Sequence, residues 1–119
     1  MGAQNLERGR WGEELAVRHL ERMGMTVLDR NWRCRAGEID IVAADERTLI
    51  ICEVKTRTTE DFGSPLAAVT PRKLRRLRRL AAAWMREHGG HAHEVRIDVI
   101  GIVLAGTGNP SLEHLRGVA

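Results

Sequence analysis

Two short apolar runs carry acids where a buried strand would carry hydrocarbon: Gly37-Glu38-Ile39-Asp40-Ile41-Val42-Ala43, then Leu49-Ile50-Ile51-Cys52-Glu53-Val54-Lys55. The polar step between them, Ala44-Asp45-Glu46-Arg47, reads as the turn of an antiparallel hairpin. Folding about it brings Asp40 near Glu53. Side chains alternate faces along a strand, so Glu53 and Lys55 share a face with Ile51 and Leu49. Two carboxylates and a lysine on one sheet surface offer hard oxygen donors to a divalent cation, with a proton-handling neighbour. Phosphodiester hydrolysis is the chemistry such a group serves.

Taken singly, an acid in a strand is more often a solvated edge residue or half of a structural ion pair, and Asp40 with Lys55 is the simplest such pair. Clustering argues the other way. Like charges brought together raise one another's pKa and destabilise the fold unless a cation or a function requires them. Glu13 supplies a further acid. It lies near the middle of an apolar stripe at helical spacing (Leu6, Ala16, Val17, Leu20, Met23), whereas Glu14 is rotated about 100° toward Arg10, Arg18 and Glu21. Glu38 shares a face with Asp40, but its place at the strand start suits a solvated role. Asp98, among apolar neighbours in a later strand, reads as a hydrogen-bonded structural acid.

The elements that must position these groups follow from period and punctuation. A helix is expected from about Leu6 to Gly24, with Gly24 as its stop. A first strand with an irregular end covers Thr26 to Arg35, and the acid-bearing hairpin follows. From Thr56 the chain turns polar, and Phe62-Gly63-Ser64-Pro65 reads as a loop able to cover the site. Thr70-Pro71 opens a second helix, threonine as N-cap and proline at the first position. It presents Leu74, Leu77, Ala81 and Trp84 on one side and ends at His88-Gly89-Gly90. Glu94 to Leu104 is a last strand. The expected order is therefore α-β-β-β-α-β, an α/β sandwich with a mixed central sheet flanked by helices. Residues 1–104 form one domain and residues 105–119 a loosely ordered tail.

With 119 residues the chain has room for one core. It has no apolar run near the roughly 18 residues that span a bilayer, and no basic-then-apolar start of the export type. Cys34 and Cys52 stand apart, Cys52 as a small buried hydrophobe. These features point to the cytoplasm and to no membrane partner. The net charge is only +3, but its distribution is uneven. Between Pro71 and His88 lie Arg72, Lys73, Arg75, Arg76, Arg78, Arg79 and Arg86 against the single acid Glu87, so the rest of the chain is net acidic. Basic helices normally carry acid partners at i, i+4. Without them, phosphates are the natural counter-charge, and such contacts grip a backbone without reading sequence. Four aromatics (Trp11, Trp32, Trp84, Phe62) are too few for recognition by base stacking, and the tryptophans read as packing. His88, His91 and His93 have a spacing that only weakly suggests zinc.

Glu13, Gly37-Glu38-Ile39-Asp40 and Glu53-Val54-Lys55 together resemble the PD-(D/E)XK nuclease superfamily. More narrowly, Asn31-Trp32-Arg33, Gly37-Glu38-Ile39-Asp40, Glu53-Val54-Lys55-Thr56-Arg57 and Phe62-Gly63 through Lys73 resemble the YraN family of small bacterial endonuclease-like proteins. Holliday-junction resolvases look like more distant relatives. The resemblance covers about Arg10 to Val103. It implies a restriction-endonuclease-like sandwich in which Asp40 and Glu53 ligate Mg²⁺ or Mn²⁺, Lys55 orients or activates the attacking water, and Glu13 assists the metal. The departure is Ile39, where the superfamily's name would place proline.

The reading is a divalent-metal-dependent endonuclease acting on DNA rather than RNA, selective for structure. Arg57, Arg72, Lys73, Arg75, Arg76 and Arg79 would contact the nucleic acid, and the resolvase likeness suggests a homodimer. Two alternatives stay open: a non-catalytic nucleic-acid-binding module that keeps the fold, and a protein-interaction adaptor whose basic helix docks an acidic partner.

Overall fold

The hairpin that carries the acids lies at the centre of the sheet. In a computed structural model, the described residues are 2–58, 67, 69–90, 92, 94–104 and 108–118, with side chains from residue 9 onward. Helix α1 (Gly2–Arg22) precedes strands β1 (Thr26–Cys34), β2 (Gly37–Ala44) and β3 (Thr48–Arg57). Helix α2 (Pro71–His88), β4 (Glu94–Val103) and β5 (Ser111–Leu115) follow. The strands lie side by side in chain order. All neighbours are antiparallel except β3 and β4, which run parallel and are joined through α2. The outcome is a mixed α/β fold.

Alternation along β3 divides the core in two. Ile50 and Cys52 face Ala16, Val17 and Leu20 of α1, while Leu49 and Ile51 face Leu77, Leu80, Ala81 and Trp84 of α2. Each helix thus buries one stripe against an opposite face of the sheet. The turn between β2 and β3 is closed by Asp45, whose Oδ1 accepts from the N–H groups of Arg47 (3.0 Å) and Thr48 (2.9 Å). Helix α2 begins as the sequence reading expects: Thr70 Oγ1 accepts from Lys73 N–H at 3.1 Å, and Pro71 follows. It ends at Gly89, whose φ of 62° is the left-handed cap that glycine adopts without strain.

Four expectations change. The sheet has a fifth strand, so the order α-β-β-β-α-β gains a terminal β. Ser111–Leu115, expected within a loose tail, pairs with Val99–Val103. Two apolar residues after a Gly- and Pro-containing stretch give little strand signal, and the open edge of β4 decides the matter. Strand β3 runs on to Arg57 because β4 pairs with it that far, through Arg57↔Val103. Helix α1 starts at Gly2 rather than near Leu6. Trp11, expected to pack, is 46% exposed. The proposed covering loop at residues 62–65 lies outside the described residues, as do His91 and His93 of the zinc reading. His88 instead stacks on Trp84, with ring centroids 4.1 Å apart.

Asp98 is fully buried and satisfied on every side. Arg96 donates twice, at 2.8 and 2.9 Å, Gly117 N–H once at 3.0 Å, and the His114 ring lies 2.7 Å away. Burial alone would push its carboxyl up; the bonds from Arg96, Gly117 and His114 more than reverse that and hold it below the usual range. His114 continues to His19 on α1 at 3.0 Å. Asp98 is therefore the structural acid the sequence suggested, tying β5 and α1 to β4.

Candidate active site

Strands β2 and β3 are paired from Ala44↔Leu49 to Ile41↔Cys52, and the register ends there. One residue further on, the carboxylates begin. Asp40 Oδ2 accepts from the N–H of Val54 at 2.8 Å, so a side chain takes the place of a ladder bond. Past that pair no ladder pairing joins Gly37–Asp40 to Glu53–Arg57, and this gap in the ladder is the cleft; β4 still pairs with β3 along its other side. The split ladder is what allows acids to lie at the middle of a sheet without displacing its core.

Glu13 reaches the same place from α1. Residue 12 is glycine because α1 touches β3 there: a Cβ would collide with Thr56 Oγ1 and crowd its Cβ and Cγ2. The neighbouring Glu13 lies near enough for its charge to act on Asp40. Glu13 Oε1 is buried and has no hydrogen-bond partner among the described residues. Glu14, one residue on, meets Arg18 at 3.7 Å and Arg30 at 3.2 Å at the surface. The helical period thus separates an inward acid from a solvated one, as the stripe suggested. Glu38 bridges the exposed Arg33 at 3.5 Å, which suits the solvated role expected of it.

Electrostatics joins these groups. Burial pushes the Asp40 carboxyl up from 3.8 to about 7; the charges of Glu53, Glu13 and Glu38 add to this, and the Val54 hydrogen bond opposes it. Lys55 is held below its ordinary value, first by burial and then by the nearby charge of Lys73, with Glu53 and Asp40 pulling the other way. Asp40, Glu53, Glu13 and Lys55 therefore share one field.

Two placements differ from the sequence reading. Lys73, assigned to backbone contacts, turns inward: its Nζ lies 2.8 Å from Glu53 Oε1, the side chains being only 18% and 13% exposed. The acid that holds a lysine is thus Glu53, not Asp40, and the lysine comes from α2, not from the same hairpin. Helical spacing does separate Lys73 from Arg72, but no local pattern marks which strand residue it meets. The α2 arginines lie on the helix's exposed side, opposite its apolar stripe. Arg72, Arg75, Arg76, Arg78, Arg79 and Arg86 are exposed along α2. Arg57 is half-buried at the end of β3, where its carbonyl accepts from Leu104 N–H at 2.8 Å.

The donors are of the kind a hard divalent ion takes, carboxylate oxygens with one of them orphaned. Among the described residues, however, no three His, Cys, Asp or Glu are gathered closely enough to hold a metal ion. Glu53 is engaged instead with Lys73, and Asp40 with the N–H of Val54. A groove of about 210 Å³ lined by Leu28, Leu49, Trp84, Met85, His88 and Ala92 lies at the far end of α2 and contains none of these acids. It is a feature of the packing around Trp84.

Fold and site together define a small α/β protein whose central sheet splits around an acidic, lysine-flanked cleft beside a basic helix. Residues 12–102 match the model of the uncharacterised protein family UPF0102, and the chain belongs to that family. A UPF0102 protein of Acidothermus cellulolyticus is 53% identical over 119 residues, covering 92% of this chain and 90% of its own length. One from Streptomyces coelicolor is 58% identical over 113 residues, with 93% and 87% covered. One from Mycolicibacterium vanbaalenii is 51% identical, with 95% and 93% covered.

Proposed function

We propose that this protein is a divalent-metal-dependent, endonuclease-like hydrolase of DNA phosphodiesters, selective for the shape of its substrate. The fold belongs, in this reading, with the restriction-endonuclease-like sandwiches of the PD-(D/E)XK superfamily, within the YraN-type proteins. One observation carries it: Asp40, Glu53 and the orphaned Glu13 Oε1 share a field with Lys55 where the sheet splits. Stability alone gives no reason to bury acids together, so their gathering marks a functional site.

Asp40 and Glu53 would hold Mg²⁺ or Mn²⁺, with Glu13 assisting. When bound, the ion supplies positive charge at the scissile phosphate and a more acidic water. Lys55, on the same face as Glu53, positions that water or stabilises the developing charge. The exposed Arg72, Arg75, Arg76 and Arg79, with Arg57, contact the flanking backbone, and such contacts carry no sequence information. The same reading places the protein in the cytoplasm, as a homodimer of the resolvase kind. The test is Mn²⁺-dependent cleavage of branched and linear DNAs by wild type and Asp40→Asn. Cleavage that needs the metal and disappears in the variant supports the enzyme. Equal cleavage by both proteins rejects it.

The Glu53–Lys73 pair favours a second reading, a nucleic-acid-binding module that keeps the fold without the chemistry. An acid already neutralised by an internal lysine needs no ion. That reading expects DNA binding unaffected by EDTA and by Glu53→Ala.

A further inference from the structure

Lys73 has no role in the reaction outlined above, yet it forms a close ion pair with Glu53. Its ammonium sits 2.8 Å from Glu53 Oε1 in a largely buried pair. Its charge also acts on Lys55, helping to hold that lysine below its ordinary value. One lysine is thus paired with Glu53 while the buried Glu13 Oε1 has no partner among the described residues. Three acids (Asp40, Glu53 and Glu13) stand against two lysines, and the one close ion pair falls on Glu53. A single divalent ion could serve several carboxylates at once, which one ammonium on a helix cannot. The backbone at Lys73 is fixed by its own cap bond to Thr70 Oγ1 at 3.1 Å. Its long, flexible stem can nevertheless move the ammonium without moving the helix.

We propose that Lys73 is an internal substitute for the metal: it occupies Glu53 in the ion-free protein and must leave that carboxylate before a divalent cation can bind. This rests on the metal-dependent reading of the cleft and names the residue that controls loading. Lys73 is a positioning residue, acting through Glu53. Its pairing also accounts for the scattered donors, since Glu53 turned toward α2 is withheld from Asp40 and Glu13.

The experiment is a titration of the protein with Mn²⁺ alone, reading free ion by electron paramagnetic resonance, with folding checked by circular dichroism. Lys73→Gln removes the competing charge and keeps a polar side chain at the half-buried position. It is expected to bind Mn²⁺ about tenfold or more tightly than wild type, because the ion no longer competes for the occupied form. Arg76→Gln, an equal loss of charge on the exposed side of the same helix, is expected to change affinity far less. If Lys73→Gln does not fold, Lys73→Met provides the same comparison. Glu53→Gln added to Lys73→Gln is expected to remove the tight site.

Outcomes separate the two ideas. If Lys73→Gln binds no more tightly than wild type, or no more tightly than Arg76→Gln, while Glu53→Gln still abolishes binding, the substitution idea is wrong and the metal site stands. If no variant binds Mn²⁺ saturably, or Glu53→Gln leaves binding intact, the metal site itself is wrong and the inference falls with it.

Discussion

Asp40 carries the sharpest consequence of any single residue. Its carboxyl is raised from 3.8 to about 7 in the folded protein, so folding favours the neutral form. Stability from this group is complete below 3.8 and is lost as pH rises through about 7, because ionising it in place costs more than ionising it in the unfolded chain. Asp40→Asn mimics the neutral acid and keeps an oxygen for Val54 N–H. The variant should melt with wild type near the low end of that window and become progressively more stable toward pH 8. The full difference is about 2–4 kcal/mol, allowing for partial exposure. Urea unfolding at several pH values measures it, and a constant difference across pH would show that burial has not shifted this group. The same substitution that should abolish cleavage should therefore stabilise the metal-free protein, as expected where function strains the fold. Asp98 shows the opposite management of a buried acid, with every oxygen supplied with a donor.

Among the elements, α2 has two faces with separate tasks. Leu77, Leu80, Ala81 and Trp84 are buried against the sheet, while six arginines remain in solvent. No acid accompanies these arginines in the first turn. Arg75→Ala with Arg79→Ala leaves the buried face untouched and is expected to weaken DNA binding on all sequences alike. It should also reduce the slope of log affinity against log salt by about 1–2, one for each phosphate no longer neutralised. Fluorescence anisotropy over a salt series reads both quantities, and an unchanged slope would remove this helix from the interface. Much of α2 was legible beforehand because Thr70-Pro71, the 3.6-residue stripe and Gly89 are all local signals. Lys73's true partner was not legible, since its distance from Glu53 depends on how the helix lies across the sheet. Strand β5 was hidden for a related reason: Ser111–Leu115 has little strand character of its own and is defined by the edge it completes.

For the whole molecule, the joint formed by Arg96, Asp98, His114 and His19 holds the last strand and the first helix to the sheet. Asp98→Ala would leave Arg96 and His114 without their buried acceptor and is expected to cost about 3–5 kcal/mol in urea unfolding. A loss below about 1 kcal/mol would mean that water replaces the carboxylate and that the joint is looser than its distances imply.

The acids, their alternation and the turn that folds them together were written in local order, because strand period and turn chemistry act over a few residues. So was the inward direction of Glu13, fixed by helical geometry. Only the tertiary arrangement decided that β2 and β3 separate just past Ile41 and Cys52, that Gly12 lets α1 approach Thr56, and that Lys73 crosses from α2 to Glu53. Those outcomes depend on the packing of elements far apart in the chain, and no short stretch of sequence contains the distances involved.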